Sequence, residues 1–287
     1  MLEGVLTRQS QGITSRNRET QHVLRLPDGA ADTGMYLAVD AFQMRLLGEF
    51  VLLLNDTPVS GLDVPRLRSL LAYLALHRGL PQARSRIAYT LWPDSTDAQA
   101  HTNLRNLLFK LRMTLPEIDS FLVVERQTLC WQSDAPCSLD VTDFERAVAS
   151  AEYARDSRDA AAERLALEKA VRCYQGDLLP GCYDEWLCGE RERLQQTYQG
   201  TLERLVELLE QEGSVAEAIR MAQRLLRIDP LQEATYRSLM RLHAVHHDRS
   251  AVMRTYQTCA ALLKCELGIA PGSKTRRAFE QLMQVDE

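Results

Sequence analysis

Residues 98–115 read AQAHTNLRNLLFKLRMTL, and the rest of the chain is understood from them. Leu104, Leu108, Leu111 and Leu115 recur at spacings of four, three and four, which stacks them on one face of an α-helix. The other positions carry His101, Asn103, Arg105, Asn106, Lys110 and Arg112, and the stretch contains no carboxylate. An apolar stripe backed by cations and amides suits a helix that lies against an anionic, hydrogen-bonding groove, so the stretch reads as a DNA-recognition helix. Taken alone it is equally well read as a core helix with a solvated basic face. Its neighbours in the chain separate the two readings.

On the N-terminal side, residues 42–59 alternate in the manner of short strands. Phe42, Met44 and Leu46 fall on one face, with a break at Gly48-Glu49 and a turn at Asn55-Asp56 into a third short strand. Val64-Pro65 then opens a helix whose stripe is Leu67, Leu70, Leu71, Leu74 and Ala75, with Gly79 as its end. A short helix over 83–91 follows, stopped by Trp92-Pro93, and Ser95 and Thr96 are placed to cap the basic helix. On the C-terminal side, 121–124 and 128–131 are β-type runs joined by Glu125-Arg126-Gln127, a hairpin with a basic tip. Three strands, three helices and a closing hairpin is the order of a winged helix-turn-helix, in which the third helix enters the major groove and the hairpin is the wing.

Beyond Leu139 the pattern is helical without a convincing strand. Helices are expected over 141–153, 160–174, 185–211, 215–228, 233–246, 251–265 and 274–283. Setting Gly213 against His247 aligns Ile219 with Met253, Arg220 with Arg254 and Ala222 with Tyr256. The offset of 34 is that of a tetratricopeptide repeat. The expected fold class is therefore mainly α, an N-terminal α+β winged helix-turn-helix followed by an all-α TPR-like helical-repeat domain. The expected divisions are a poorly ordered extension over residues 1–40, a DNA-binding domain over 41–137 and the helical domain over 138–287.

Composition constrains function further. The chain of 287 residues is large enough for two cores, and its 45% hydrophobic and 25% charged residues are those of a globular protein. Its net charge is −5, distributed as −1 over 1–40, +1 over 41–137 and −5 over 138–287, so any nucleic-acid contact has to come from a local basic patch. Seven cysteines without a C-x-x-C pair support neither a zinc site nor a disulfide framework. With no apolar run of membrane-span length and no secretory h-region, a cytoplasmic location without membrane contact is expected. Gly272-Ser273-Lys274-Thr275 lacks the upstream glycine of a phosphate-binding loop, and His243, His246, His247 and Asp248 do not complete a convincing metal set. No H-E-x-x-H or G-x-S-x-G motif occurs. Neither an enzyme nor a cofactor is expected.

The segments LRSLLAYLAL (67–76), RIAYTLWPD (86–94), TNLRNLLFKLR (102–112) and ELGIAPGSKTRRAF (266–279), in that order, resemble the SARP-type transcriptional activators. These combine an OmpR-type winged helix with a bacterial transcriptional activator domain, and the likeness runs from about Phe42 to the C-terminus. The resemblance implies a cytoplasmic activator that binds tandem repeats near a promoter, as a homodimer on those sites, and recruits RNA polymerase. It also implies base reading by Arg105, Asn106, Phe109, Lys110 and Arg112, with Arg126 on the wing reaching the minor groove or backbone; Arg66, Arg68 and Thr102 are further expected to contact the DNA backbone. Polymerase contact falls to the loop carrying Trp92, Asp94, Ser95 and Asp97. Some members of that family carry an ATPase and further repeats after the activator domain; with the sequence ending at Glu287, none is expected here. Phe109 departs from the polar residue expected at a groove-facing position. It either meets a thymine methyl or packs against the wing, which would rotate the reading face. The rival function is a protein-interaction adaptor, in which the helical domain binds a protein partner and the winged helix is degenerate.

Overall fold

A computed structural model describes residues 41–284; the expected extension over 1–40 lies outside the described residues. Strands β1 (Phe42–Arg45), β2 (Val51–Leu54) and β3 (Thr57–Pro58) form an antiparallel meander. Helices α1 (Pro65–Leu76), α2 (Arg84–Leu91) and α3 (Asp97–Thr114) follow. A one-turn 3-10 helix, Pro116–Ser120, leads into the hairpin of β5 (Leu122–Val124) and β6 (Thr128–Trp131). Pro116 cannot continue α3, which is why the chain tightens and turns there. Among the described residues this part is the expected winged helix-turn-helix.

Two strands were not anticipated. Ala83, expected as the start of the second helix, instead belongs with Gln82 to a short strand, β4 (Gln82–Ala83), paired with β6 so that the wing becomes three-stranded in the order β4-β6-β5. Cys137–Leu139 is a strand, β7, that runs parallel to β1 and completes a four-stranded sheet in the order β3-β2-β1-β7. It straddles the expected division at residues 137 and 138.

Helix α1 is buried on more than the one stripe its periodicity marks. Every residue from Ser69 to Ala75, and Leu67, is buried. The other side of α1 meets the helical part of the chain: Tyr73 packs edge-on against Trp186 at 5.2 Å, and the Trp186 indole N–H donates to the Ser69 hydroxyl at 3.2 Å. A second aromatic group, Phe42, Phe121 and Trp131, ties the first sheet to the root of the wing, with ring centroids 4.0 to 6.2 Å apart.

The helical part comprises α4 (Asp140–Asp156), α5 (Ala160–Cys173), α6 (Trp186–Gln211), α7 (Val215–Ile228), α8 (Glu233–Val245), α9 (Arg249–Leu267) and α10 (Ser273–Gln284). The repeat that side chains show faintly is plain in the backbone. The turns inside the pairs α4/α5, α6/α7 and α8/α9 each hold one left-handed residue: Arg158, Gly213 and His247, at φ of 59°, 74° and 55°. Each is followed by a cap, Asp159, Ser214 or Asp248. The Asp159 and Asp248 carboxylates accept from the N–H groups of Ala162 and Ala251 at 3.0 and 2.8 Å. Gly213 and His247 stand 34 residues apart, the tetratricopeptide period.

The two parts are stitched through β1 and the turn after it. The Asp140 carboxylate accepts from the backbone N–H of Leu46 at 2.8 and 3.0 Å, of Leu47 at 2.8 Å and of Val141 at 2.8 Å. Gly48 donates to the Asp177 carbonyl at 3.0 Å, and Leu179 donates to the Leu46 carbonyl at 2.8 Å. Gly48 adopts a φ of +94°, and a Cβ there would lie 3.0 Å from the Gln175 carbonyl carbon. Both the conformation and the close approach call for glycine. Gly48→Ala is expected to cost at least about 1 kcal/mol, read as a lower urea midpoint at unchanged slope.

Candidate nucleic-acid interface

Helix α3 owes its position to its apolar face. Ala100, Leu104, Leu107, Leu108 and Leu111 are buried, leaving one continuous arc to solvent. Its start is set by Thr96, whose hydroxyl accepts from the Gln99 N–H at 3.4 Å. Asp97 sits in the first turn, where the helix dipole favours an acid. The α2 and α3 pair is the helix-turn-helix, with residues 92–96 as its turn.

All five residues expected to read bases lie on the exposed arc. Arg105, Asn106 and Lys110 are exposed, and among the described residues neither Arg105 nor Lys110 has an ion-pair partner. Arg112 is also exposed, but its Nε donates to both oxygens of Asp119 at 2.9 and 3.2 Å, on the 3-10 turn that follows. Phe109 is 67% exposed. Met113, one turn further along, is exposed to a similar degree. This second large apolar side chain lies on the same arc, and the amphipathic pattern gave no reason to single it out. Thr102 is half-buried, and its hydroxyl donates back to the Ala98 carbonyl at 2.9 Å.

The expected backbone-contacting residues divide. Arg126 is exposed at the tip of the wing. The tip is braced by the Thr128 hydroxyl donating to the Glu125 carboxylate at 2.7 Å and by the Arg84 N–H donating to the Gln127 carbonyl at 2.8 Å. Arg66 is committed elsewhere. Its guanidinium pairs with Asp184 of the helical part, which also accepts from the Ser69 hydroxyl, and it lies 6.0 Å from the Trp92 ring centroid. Arg68 donates to the Leu62 carbonyl at 2.7 Å and pairs with Asp63 at 3.0 Å. Only the partner of Arg66 is distant in sequence; those of Arg68 lie five and six residues before it, in the loop that precedes α1. Arg86, exposed on α2 and without an ion pair among the described residues, is a cation on the helix-turn-helix that reasoning from α3 passed over.

The loop residues are held in distinct ways. Trp92 is half-buried, Asp94 is exposed, and Ser95 donates its N–H to the Trp92 carbonyl at 3.2 Å. The Asp97 carboxylate accepts from the Tyr89 hydroxyl at 2.5 Å, a bond that raises the pKa of the phenol. Among the described residues, no three His, Cys, Asp or Glu side chains gather as a metal set, and no helix is long and apolar enough to cross a membrane.

This arrangement has counterparts. A family model described as the bacterial transcriptional activator domain matches residues 139–283. Regulatory protein AfsR of Streptomyces coelicolor is 27% identical over 223 residues, which make up 77% of this chain and 22% of that protein, so the chain spans under a quarter of that relative. Transcriptional regulatory protein MoaR1 of Mycobacterium bovis is 24% identical over 261 residues, covering 85% of this chain and 80% of the relative. Among solved structures, Mycobacterium tuberculosis EmbR in complex with a low affinity phosphopeptide superposes with a TM-score of 0.68. That match has 20% identity and covers 85% of this chain and 65% of EmbR, a likeness of fold.

Proposed function

Because the chain belongs to the bacterial transcriptional activator domain family, with the SARP-type order of a winged helix before that domain, we propose that it is a sequence-specific DNA-binding transcriptional activator. In this reading residues 41–137 bind DNA and residues 138–287 form the activator part. The observation that carries it is the solvent arc of α3, where Arg105, Asn106 and Lys110 stand exposed on the second helix of a helix-turn-helix. Arginine or lysine to guanine and asparagine to adenine are the favoured pairings in the major groove, and Phe109 is placed to meet a thymine methyl. Arg112 joins them once it exchanges Asp119 for the DNA. Arg126 and Arg86, with Thr102 at the helix edge, supply phosphate contacts; Arg66 and Arg68 serve instead to hold α1 in place.

With so few free cations one protomer binds DNA weakly, which favours two copies on tandem half-sites. The loop of Trp92, Asp94, Ser95 and Asp97 faces RNA polymerase in this scheme, and the helical repeats offer a surface for a protein partner. The rival adaptor role calls for loss of the exposed cations on α3, and they are retained.

The test is fluorescence anisotropy of the full chain on duplex DNA across a salt series. Binding is expected to fall log-linearly with salt, with a slope of about −0.9 per phosphate neutralised. Arg126→Ala should weaken binding to all sequences alike and make the slope shallower by about 1. Salt-insensitive binding, or none at low salt, would remove the proposal.

A further inference from the structure

A cleft of about 890 Å3 lies away from the α3 face, between α6, α7 and the segment 174–177. That is the size of a small-molecule site. Arg220, Arg224 and Arg227 follow one another along α7 at spacings of four and three and line one wall. Among the described lining residues, Asp177 carries the one carboxylate. Three cations against one acid leave a net positive cleft in a helical part whose sequence is acidic overall.

The partners of these arginines show how much of their capacity is used within the chain. Arg220 pairs with Glu217 at 3.2 Å. Arg224 donates one N–H to the Tyr174 carbonyl at 2.9 Å and places its guanidinium 5.3 Å from the Tyr198 ring centroid. Arg227 is exposed and has no ion pair among the described residues. Guanidinium groups with free donors in a fixed fork are suited to an oxyanion that can accept two bonds at once. Tyr198 also lines the cleft, stacked at 4.1 Å on Tyr174, and its buried hydroxyl has no hydrogen-bond partner. Burial pushes that phenol up to about 12, while Arg224 and Arg227 pull it down from nearby, so it is a neutral donor beside two cations. A buried donor left unmade costs stability, but this hydroxyl is closed off from solvent, so the arginines are what the cleft offers an anion directly.

We propose that this cleft binds a small organic phosphate, its dianionic group held by Arg224 and Arg227 and its organic portion lying along Met221 and Ile228. A phosphate monoester matches the excess of positive charge better than a single carboxylate, and the cleft is too large for inorganic phosphate alone. The site adjoins the stitching between the two parts, since the Asp177 carbonyl at its edge accepts from Gly48.

The test is isothermal titration of the full chain with inorganic phosphate and with ribose 5-phosphate, at ionic strength held constant with sodium chloride. Saturable binding is expected, tighter for ribose 5-phosphate, and at least fivefold weaker in Arg227→Gln, an exposed position where folding is not at stake. Arg224→Gln should weaken it further. The proposal is overturned if neither probe gives heat beyond the chloride control, or if Arg227→Gln binds as the unmodified chain does. It is equally overturned if Arg105→Ala abolishes the binding, which would place the phosphate on the α3 face.

Discussion

Arg105→Ala is expected to weaken binding to a duplex carrying the preferred half-site by about 5- to 150-fold, the 1–3 kcal/mol attached to one bidentate base contact. The loss should be concentrated at one base pair. A duplex already altered at that pair should be bound almost equally by the two proteins, whereas a phosphate contact would be lost on every sequence alike. Arg105 is exposed and has no ion pair among the described residues, so thermal unfolding of the variant should match that of the unmodified chain. Equal affinities on the preferred duplex would take Arg105 out of the reading face. The face would then be centred on Asn106 and Lys110, further round the arc.

The second large effect concerns the joint between the two parts. Asp140→Ala leaves the N–H groups of Leu46 and Leu47 without their acceptor, in residues that are almost completely buried. Each buried donor left unmade costs about 1–3 kcal/mol, so the variant should lose about 2–6 kcal/mol in chemical denaturation. Asp140→Asn keeps an acceptor and should recover part of the loss. A change below about 1 kcal/mol for the alanine variant would mean that water replaces the carboxylate and that the joint is looser than its geometry implies. Because β1 belongs to the winged helix and Asp140 opens α4, the same variant should make the two parts unfold less cooperatively.

How much of this was legible in the sequence follows from which interactions are local. The helices of the C-terminal part were readable because caps and breakers are local signals. Helix α7 runs Val215–Ile228 as its periodicity and the flanking Gly213 and Asp229-Pro230 predict. The three-helix order and the wing were readable for the same reason. The short strands β4 and β7 were not, because two or three residues carry no period. Their pairing is with strands far away: Cys137 lies beside Phe42 in parallel, a contact that no turn chemistry announces. The full burial of α1 was hidden in the same way, since the residues that cover its second side, Trp186 and Asp184, come more than a hundred positions later.

The candidate interface divides along the same line. Amphipathicity puts Arg105, Asn106, Lys110 and Arg112 on the side away from the leucine stripe, the resemblance adds Phe109, and all five lie on one exposed arc. It says nothing of which cations are already occupied. Arg66 looked free because its partner is distant in sequence, and Arg112 looked free although Asp119 is only seven residues on, across the turn that Pro116 imposes. Residue type identifies a cation; the fold decides whether it has charge to spare.

The most direct test of DNA reading is selection from a pool of randomised duplexes by the full chain at moderate salt, followed by sequencing. Enrichment of one short motif, recurring as a direct repeat and lost when Arg105→Ala replaces the unmodified chain, is the result predicted here. A pool that stays random while the protein remains folded would contradict it.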